Sequence, residues 1–497
     1  MPLRSLVTKL QETALTGELD ERSSRPERLL MRGAGRCSRA LVASALSQRR
    51  GAPLLVVVPT LEEAGRWTAL LELMGWSQAS LYPTSEGSPY EPFDPTSEIT
   101  WGQLQVLSDL LGEPNAASWA IVATERCLQP HLPPPDVLKT KTRTLRKGDE
   151  VELEALGETL AQLGYERVTT IEQEGSWSRR GDIVDIFPVS SELPVRLEFF
   201  GEELDKLREF DPASQRSLDP VDALRLTPTG FGPLIADQLR ETMPDGLEQL
   251  LGTEGTEQLL NGGTPEGMRR LMGLAWEQPA SLLDYLPDTT TVVIDERRQG
   301  LAHGQQWLSH VEEHHHDMAA EAGLDEGDRD RLWPAVLHRE IEAAYALTEV
   351  FHGFDMAELL EVDQHPNSFD LASRPVAAYP NQFGKLGELI KGFQTERTAV
   401  WLVSAQPSRA VALLEEHDCI SRFVPNAGDS NAIARLIEQN TPVALKVRGT
   451  AELEGLQLPA WRIALVTDRE FFGQQSLSSS GYVRRRRKAA SRTMDPN

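Results

Sequence analysis

The sequence predicts a multidomain α/β protein in which a layered α/β domain is followed by a compact α+β module and a further α/β unit. The first observation behind this prediction is that short apolar runs, such as Leu54–Val58 and Trp119–Thr124, alternate with stretches of helical spacing. Continuous apolar runs of this kind are typical of strands buried in a parallel sheet. The second observation is the alternation of apolar and charged residues in Val195–Phe200, which predicts a half-buried strand.

Composition shifts divide the chain into segments. In order, we expect a layered α/β domain (1–128), an α+β module (129–228), a segment of mainly helical spacing with one apolar strand (229–367), a small α/β domain (368–473) and a basic flexible tail (474–497). Four prolines in 130–135 mark the first boundary as a stiff connector. Within 229–367, the stretch 339–362 is predicted to be one long amphipathic helix.

Length and charge restrict the possible functions. The 497 residues are too many for one core, and a net charge of −25 repels polyanions, so the surface as a whole is not expected to bind nucleic acid. No segment is uniformly apolar over roughly 18 residues, and the N-terminus lacks a signal-peptide pattern, so we expect a cytoplasmic protein. The separation of Cys37, Cys127 and Cys419 argues against disulfides and a thiolate zinc site.

A turn at Gly33 invites comparison with the phosphate-binding loop G-x-x-x-x-G-K-[ST]. Counting from Gly33, Ser38 replaces the second glycine, Arg39 the lysine and Ala40 the hydroxyl residue. Arg39 can still meet a phosphate, but Ala40 cannot bind magnesium, because that requires the hydroxyl. We therefore predict a degenerate loop, and a working ATPase site is the alternative.

Two further clusters allow either a functional or a structural interpretation. The apolar run Thr291–Glu296 predicts a strand that ends in two carboxylates, and a strand ending in Asp-Glu has the form of the magnesium-holding and water-activating pair of P-loop ATPases. Because the loop is degenerate, a structural role for Asp295 and Glu296 is favoured. Half of the ten histidines lie close together, at His303, His310, His314, His315 and His316. Their spacing suits a metal site on one helix face, but the charged surroundings favour a solvated surface, and no metal is predicted.

The stretch WSRRGDIVDIFP, at 177–188, joins a basic turn to a β-prone apolar run. Arg180 is therefore expected on a rigid strand of an otherwise acidic protein. The alternation in Val195–Phe200 places Arg196 and Glu198 on one side of the next strand. Arginine side chains held in this way can make bidentate contacts to carboxylates of a partner. The alternative is a surface ion-pair ladder, which contributes only about 0 to 1 kcal/mol.

Several of these pieces occur in the same order in a known family. A degenerate P-loop is followed by PYEPFDP, WSRRGDIVDIFP, VRLEFFGEELDKLREFDP, SLLDYLP and VVIDE. This order resembles the N-terminal region of the bacterial transcription-repair coupling factors, the Mfd family, which is itself similar to the excision-repair helicase UvrB. The resemblance runs from about residue 25 to 475 and is most specific over 165–212. It implies a UvrB-like layered domain with a degenerate P-loop NTPase-type core, formed in two parts by 1–128 and 229–367. It also implies that the α+β module at 129–228 is inserted between these parts and binds UvrA.

Two departures favour the coupling factors over UvrB. UvrB has an intact P-loop, and a β-hairpin that clamps DNA follows its tyrosine-rich segment. Here the loop has lost its lysine and hydroxyl, and a predicted helix follows PYEPFDP almost at once, which leaves no room for the hairpin.

The resemblance also implies which residues contact a partner. In this family the inserted module binds UvrA through a surface shared with UvrB. By motif, Arg180, Arg196 and Glu198 belong to that surface, and Arg167 matches a further family arginine. Ser178 stands where UvrB has another arginine, so that contact is not carried over.

For the intact family protein, the resemblance implies three more partners, namely its own translocase domain, RNA polymerase and double-stranded DNA, and a motor that uses ATP and Mg²⁺. We expect this chain to be a fragment or truncated product that ends before those parts, with no cofactor and no catalysis of its own. One alternative is a UvrB-type weak ATPase or DNA-unwinding protein that uses Gly33 to Ala40 with Asp295 and Glu296. Another is a DNA-binding protein that works through the basic run at 484–488.

Overall fold

The computed structural model describes residues 2–112, 118–321, 323, 325, 327, 336–359, 365–447 and 452–473. The predicted basic tail at 474–497 lies outside the described residues. None of the helices in the described part of the chain has the length and apolar character that a membrane crossing requires.

The strands and helices are numbered along the described residues. The strands are β1 (Leu29–Arg32), β2 (Leu54–Val58), β3 (Gln78–Leu81), β4 (Trp119–Thr124), β5 (Arg143–Arg146), β6 (Glu166–Arg167), β7 (Ser176–Arg180), β8 (Ile183–Phe187), β9 (Val195–Phe200), β10 (Glu203–Phe210), β11 (Ser217–Pro220), β12 (Ala223–Leu226), β13 (Thr291–Asp295), β14 (Gly353–Met356), β15 (Ser368–Asp370), β16 (Arg374–Pro375), β17 (Ala399–Ser404), β18 (Arg422–Phe423), β19 (Val443–Lys446), β20 (Leu456–Leu458) and β21 (Ile463–Thr467). The α-helices are α1 (Arg4–Gln11), α2 (Ala14–Ser23), α3 (Arg36–Arg49), α4 (Leu61–Leu71), α5 (Ser97–Leu111), α6 (Pro135–Lys141), α7 (Leu153–Gln162), α8 (Gly232–Thr242), α9 (Leu247–Leu260), α10 (Met272–Ala275), α11 (Arg297–Glu321), α12 (Ile341–Ala346), α13 (Phe383–Thr395), α14 (Pro407–Glu415), α15 (Ser430–Glu438) and α16 (Asp468–Phe472).

The first sheet has seven parallel strands in the order β15-β1-β14-β13-β2-β4-β3. Every residue of β2 and β13 is buried, which explains why these strands read as continuous apolar runs. Helix α3 follows β1, and α4 follows β2, as in a layered α/β unit. The carboxyl ends of β1 and β13 carry the degenerate loop and the acidic pair, so the sheet brings these two motifs to one edge.

The second sheet has six strands in the order β11-β10-β9-β8-β7-β6 and is antiparallel except for the β6–β7 pair. Helix α7 covers one face, where Leu156 and Leu160 pack with Val184, Leu197 and other apolar residues of the strands. Strands β5 and β12 pair beside this sheet as a two-stranded ribbon. Together with α7, the second sheet forms an α+β unit that lies between β4 and β13 of the first sheet in chain order.

The third sheet is mixed, in the order β16-β20-β21-β17-β19-β18, with β17 parallel to both β19 and β21. One hydrophobic core joins it to the first sheet and to α1 and α2, two helices that the sequence analysis did not predict. The Trp401 indole donates a hydrogen bond to the Ser5 hydroxyl at 3.1 Å, and the Trp461 indole donates to Thr16 Oγ1 at 3.0 Å. The N-terminal helices therefore bind the first and third sheets to each other.

The predicted fold class is confirmed, as a mixed α/β chain with a parallel sheet and further sheets. The predicted long helix at 339–362 is wrong over its described part. Only α12, Ile341–Ala346, is α-helical, and β14, Gly353–Met356, is a strand between β1 and β13. A Cβ on Gly353 would lie 2.0 Å from the Val292 carbonyl oxygen, so this strand needs glycine to pair so closely. Strand pairing overrides the helical periodicity there.

The strand Ser368–Asp370 also has a neighbour that the sequence analysis did not identify. It follows the predicted boundary at residue 367, yet it pairs in parallel with β1 at the edge of the first sheet. The polypeptide therefore completes the first sheet before it enters the third.

Replacement of Leu10 by alanine tests the core shared by the N-terminal helices. Leu10→Ala is expected to lower the free energy of unfolding by about 2 to 5 kcal/mol, because Leu10 is fully buried in that core. Thr8→Ala, on the exposed side of α1, is the control and is expected to change it by less than about 0.5 kcal/mol. Urea denaturation followed by circular dichroism measures both changes. Equal effects would show that α1 is not held by this core.

Candidate functional site

The face of the second sheet opposite α7, called the outer face below, carries the residues predicted to bind a partner. Val195, Leu197 and Phe199 belong to the core under α7, so the alternation of the strand directs Arg196 and Glu198 to the outer face. The cross-strand partners of these two residues, Asp185 and Ile183, lie on the same face.

One row of the outer face crosses four strands. Arg180 pairs with Ile183, Ile183 with Glu198, and Glu198 with Lys206. Neighbouring strands are about 4.8 Å apart, so the row spans about 14 Å. Lys206 Nζ lies 3.4 Å from Glu198 Oε2, whereas Arg180 is exposed and forms no ion pair with any described residue.

Arg196 lies in the next row and is already paired within the sheet. Its Nε and one terminal nitrogen donate to the two carboxylate oxygens of Asp185, at 2.7 and 2.9 Å. Its guanidinium also lies 4.8 Å from the centre of the Phe210 ring. The hydrogen bond to Asp185 raises the pKa of Arg196 above its usual value. Arg196 therefore joins β8 to β9, and it is not a free cation awaiting a partner.

Two tight turns display residues at one end of the outer face. The β7–β8 turn has Gly181 at φ +64°, and the β9–β10 turn has Gly201 at φ +66°. Each glycine is the first of two turn residues, a position where hairpin turns require positive φ. Arg180 immediately precedes the first of these glycines, and Phe200 the second. The turns thus place a cation and an aromatic ring at the same end of the sheet.

Exposed apolar and basic residues were missed by the sequence analysis. Phe200 is 82% exposed and Ile183 39% exposed, both on the outer face, and Arg208, opposite Arg196, is exposed and unpaired among the described residues. The signal for Phe200 was present in the strand alternation, because a strand that buries Phe199 must expose its neighbour. The signal for Arg208 was weaker, because the β9–β10 ladder contains an irregularity between Leu204 and Lys206.

Arg167 lies elsewhere. It pairs with Trp177, which is buried under α7, and its guanidinium lies 5.2 Å from the centre of the Trp177 ring. The structure therefore brings Arg180, Arg196 and Glu198 together and places Arg167 at the edge strand, on the face that α7 covers. Ser178, on the outer face, is buried next to Asp185.

The degenerate loop contains an internal ion pair where a phosphate would bind. Arg39 is only 2% exposed, and its Nε lies 2.8 Å from Asp295 Oδ1. Another guanidinium nitrogen donates to the Ala34 carbonyl oxygen at 2.8 Å and lies 3.2 Å from Glu296 Oε1. The Trp67 indole donates to Asp295 Oδ2 at 2.9 Å. The predicted option that Arg39 meets a phosphate is not realised in this arrangement.

The same arrangement occupies both acidic residues. Burial raises the pKa of Asp295 to about 7, although the Arg39 charge lowers it. Glu296 has φ +50°, and its Oε1 accepts a hydrogen bond from the Glu358 amide at 2.6 Å. Ala40 is fully buried and offers no hydroxyl, while Ser38 Oγ lies 2.7 Å from Ser373 Oγ.

The cleft in front of the loop has an acidic lining. Gly33 and Gly35 face Glu358, Asp370 and Glu454 there, and Arg374 is the basic residue of the lining. Three carboxylates beside one guanidinium disfavour a triphosphate, whose own charge is strongly negative.

The clustered histidines lie on α11, and most of them are solvated as predicted. His303, His310 and His316 are exposed, and His314 is partly exposed. His315 is the exception to the predicted solvated face, because it is buried against the Tyr90 ring, with centroids 4.5 Å apart. No described group of three or more His, Cys, Asp or Glu side chains is arranged to hold a metal ion. The basic run at 484–488 lies outside the described residues, so its role in DNA binding stays a prediction.

Comparison with known proteins places these features in a family. The family model of the UvrB interaction domain matches residues 144–230, which contain the outer face. The model of the Rossmann-like domain of cyanobacterial Mfd matches residues 375–473, which contain most of the third sheet. A transcription-repair-coupling factor of Bacillus subtilis is 23% identical over 480 residues, covering 89% of this chain and 38% of that protein.

The chain is similar in sequence to the transcription-repair coupling factors. This confirms the resemblance predicted from the sequence motifs. The coupling factor of Mycobacterium tuberculosis is 30% identical over 313 residues, covering 57% of this chain and 25% of that protein. That of Escherichia coli is 29% identical over 272 residues, covering 54% and 23% respectively. The chain spans 38% or less of the length of these coupling factors.

In this relative of the coupling factors, the Arg39–Asp295 pair is expected to be structural. Arg39→Met should lower the free energy of unfolding by about 3 to 5 kcal/mol, because it leaves a buried carboxylate without its cation. The double variant with Asp295→Asn should recover most of that loss, since neither charge remains. Urea denaturation of the single and double variants measures the coupling. Additive losses would contradict a direct interaction.

The loss caused by Arg39→Met should also depend on pH. The pKa of Asp295 is raised in the folded state, so folding takes up a proton between its unfolded value of about 4 and its folded value of about 7. The stability that this proton uptake contributes is present at low pH and is lost as pH rises. At pH 8 the Asp295 carboxyl is mostly ionised and needs the Arg39 cation, whereas at pH 5 it is mostly protonated. The loss of stability caused by Arg39→Met is therefore expected to be larger at pH 8 than at pH 5.

Proposed function

We propose that the outer face binds UvrA and that the chain, through this contact, recruits UvrA to stalled RNA polymerase in transcription-coupled nucleotide excision repair. The observation that carries the proposal is the exposed, unpaired Arg180 beside exposed Phe200, within the segment that matches the UvrB interaction domain. Arginine and aromatic side chains are enriched among the residues that dominate binding energy in protein interfaces.

The geometry suggests different roles for the predicted contact residues. Arg180 is free to form a charge-assisted hydrogen bond with a partner carboxylate, and Glu198 can fix the register of such a contact. If Arg196 turned away from Asp185, this buried carboxylate would be left without its cation. We therefore propose that Arg196 holds together the strands that carry the contact residues. Arg167 lies on the other face, and we propose a smaller contribution from it.

We also propose that this chain performs no catalysis and holds no cofactor. The support is that Arg39 and Asp295 form a buried ion pair, that Ala40 supplies no hydroxyl for magnesium, and that the cleft is acidic. ATP hydrolysis with Mg²⁺, together with contacts to RNA polymerase, to double-stranded DNA and to the translocase domain of the same protein, is proposed for the intact coupling factor, outside this chain.

Binding of UvrA can be tested by substitution on the outer face. Arg180→Ala and Phe200→Ala are each expected to weaken UvrA binding by about tenfold or more, because each removes an exposed side chain of the kind that dominates interfaces. Surface plasmon resonance with immobilised UvrA measures the affinity.

Two matched controls accompany these variants. Arg66→Ala removes an exposed arginine of α4 that pairs with Glu62, and it should leave UvrA affinity unchanged. Arg167→Ala removes an arginine of the same module on the α7 side, and its effect should be less than that of Arg180→Ala. If all four variants bind UvrA equally well, the outer face is not the docking surface.

The alternative is a UvrB-type weak ATPase, and nucleotide binding separates it from the docking function. Fluorescence polarisation with a labelled ATP analogue and Mg²⁺ is expected to detect no binding at millimolar nucleotide concentrations. The reason is that the loop has no free cation for the phosphates. Saturable binding that disappears in Arg39→Met would favour the ATPase.

A further inference from the structure

A cavity lies at the carboxyl edge of the first sheet, away from the degenerate loop and from the outer face. The segment after β3, including Ser88 and Phe93, forms one wall, and the turn after β4, including Arg126, forms another. Arg269, just before α10, and Trp307 of α11 close it. The carboxyl edge of a parallel sheet is where α/β folds usually bind their ligands.

Arg126 lines this cavity with hydrogen-bonding capacity to spare. The residue is 9% exposed, and its Nε is buried without a hydrogen-bond partner. One terminal nitrogen lies 3.0 Å from Oε1 of the largely exposed Glu86 and 3.6 Å from Oε1 of the buried Glu125. Buried polar groups are almost always satisfied, so the unsatisfied N–H leaves Arg126 with an unmet hydrogen bond beside the cavity that it lines.

Arg269 supplies a second guanidinium to the same cavity. It donates to Gln103 Oε1 at 2.9 Å and to the His131 carbonyl oxygen at 3.3 Å, and it stacks on Phe231 with 4.8 Å to the ring centre. In the described part of the chain, no carboxylate lies within ion-pair distance of it. Arg269 is half-buried, and Asp94, whose Oδ1 accepts a hydrogen bond from the Arg269 amide at 3.0 Å, is the carboxylate that acts on its charge. An anion in the cavity would add a direct ion pair to this longer-range attraction.

The remaining lining is mainly neutral or apolar. Burial lowers the pKa of His131 to about 4, so this histidine is uncharged at neutral pH. Glu91 is the lining carboxylate, and its Oε1 accepts from the Ser88 amide at 3.3 Å. Phe93, 68% exposed, and Met272 provide apolar surface. Apolar walls with a few convergent polar groups are typical of small-molecule sites.

We propose that this cavity binds a small organic oxyanion, with its carboxylate or phosphate on Arg126 and Arg269 and its flat apolar body against Phe93. Glu86 occupies one donor of Arg126 in the absence of the ligand. The incoming anion competes with Glu86 for the terminal nitrogen of Arg126.

Isothermal titration calorimetry with the full chain tests this site using probes of similar shape and different charge. Benzoate and phenyl phosphate represent the two oxyanions and are expected to bind with one-to-one stoichiometry. Benzamidine has the same flat body with a positive charge and should not bind. Inorganic phosphate lacks the apolar body and should bind at least about tenfold more weakly than phenyl phosphate. The proposal is overturned if benzamidine binds as well as benzoate. It is also overturned if neither oxyanion binds at concentrations up to about 10 mM.

Two variants with opposite expected effects on benzoate affinity test whether the ligand binds in this cavity. Arg126→Gln should weaken benzoate binding at least about tenfold. Glu86→Gln should tighten it about twofold to fivefold, because an exposed competitor for Arg126 is removed. Arg66→Gln, on α4, is the control and should change nothing. Melting curves establish that each variant is folded. Unchanged affinity in both Arg126→Gln and Glu86→Gln would place any binding elsewhere and overturn the proposal.

Discussion

The buried ion pair between Arg39 and Asp295 determines what the first sheet can do. It crosses from the start of α3 to the end of β13, and Trp67 of α4 hydrogen-bonds to the same carboxylate. A guanidinium that is 2% exposed needs its counterion, so neither partner can be released for a phosphate or a metal at little cost. The pair thus connects two helices and a strand at the position of the predicted degenerate loop.

The second sheet follows a different constraint, the two-residue period of its strands. That period buries Leu197 and Phe199 under α7 and leaves Arg196, Glu198 and Phe200 on the outer face. Residues of one face are not equivalent, however. Arg196 is paired with Asp185, whereas Arg180 is unpaired among the described residues. The distinction between a positioning arginine and a free one depends on which acid lies opposite, across the β8–β9 pair.

Much of the fold could be predicted from sequence because long apolar runs have few alternatives. Leu54–Val58 and Trp119–Thr124 are strands with the predicted bounds, and the predicted strand Thr291–Glu296 is one residue shorter, Thr291–Asp295. Segments whose structure depends on distant partners were missed. Strand β14 was mistaken for helix because its neighbours, β1 and β13, precede it by many residues, and α1 and α2 are held by tryptophans from the far end of the chain.

The sequence by itself determined the loss of the nucleotide-binding groups, the strands of the inserted module and the side of the strand that carries Arg196 and Glu198, because each follows from residue identity or local periodicity. The tertiary structure alone decided that Arg39 pairs with Asp295, that Arg167 lies across the sheet from Arg180, and that His315 is buried. These outcomes depend on residues far apart in the chain, and only the pairing of strands and the packing of helices sets their distances.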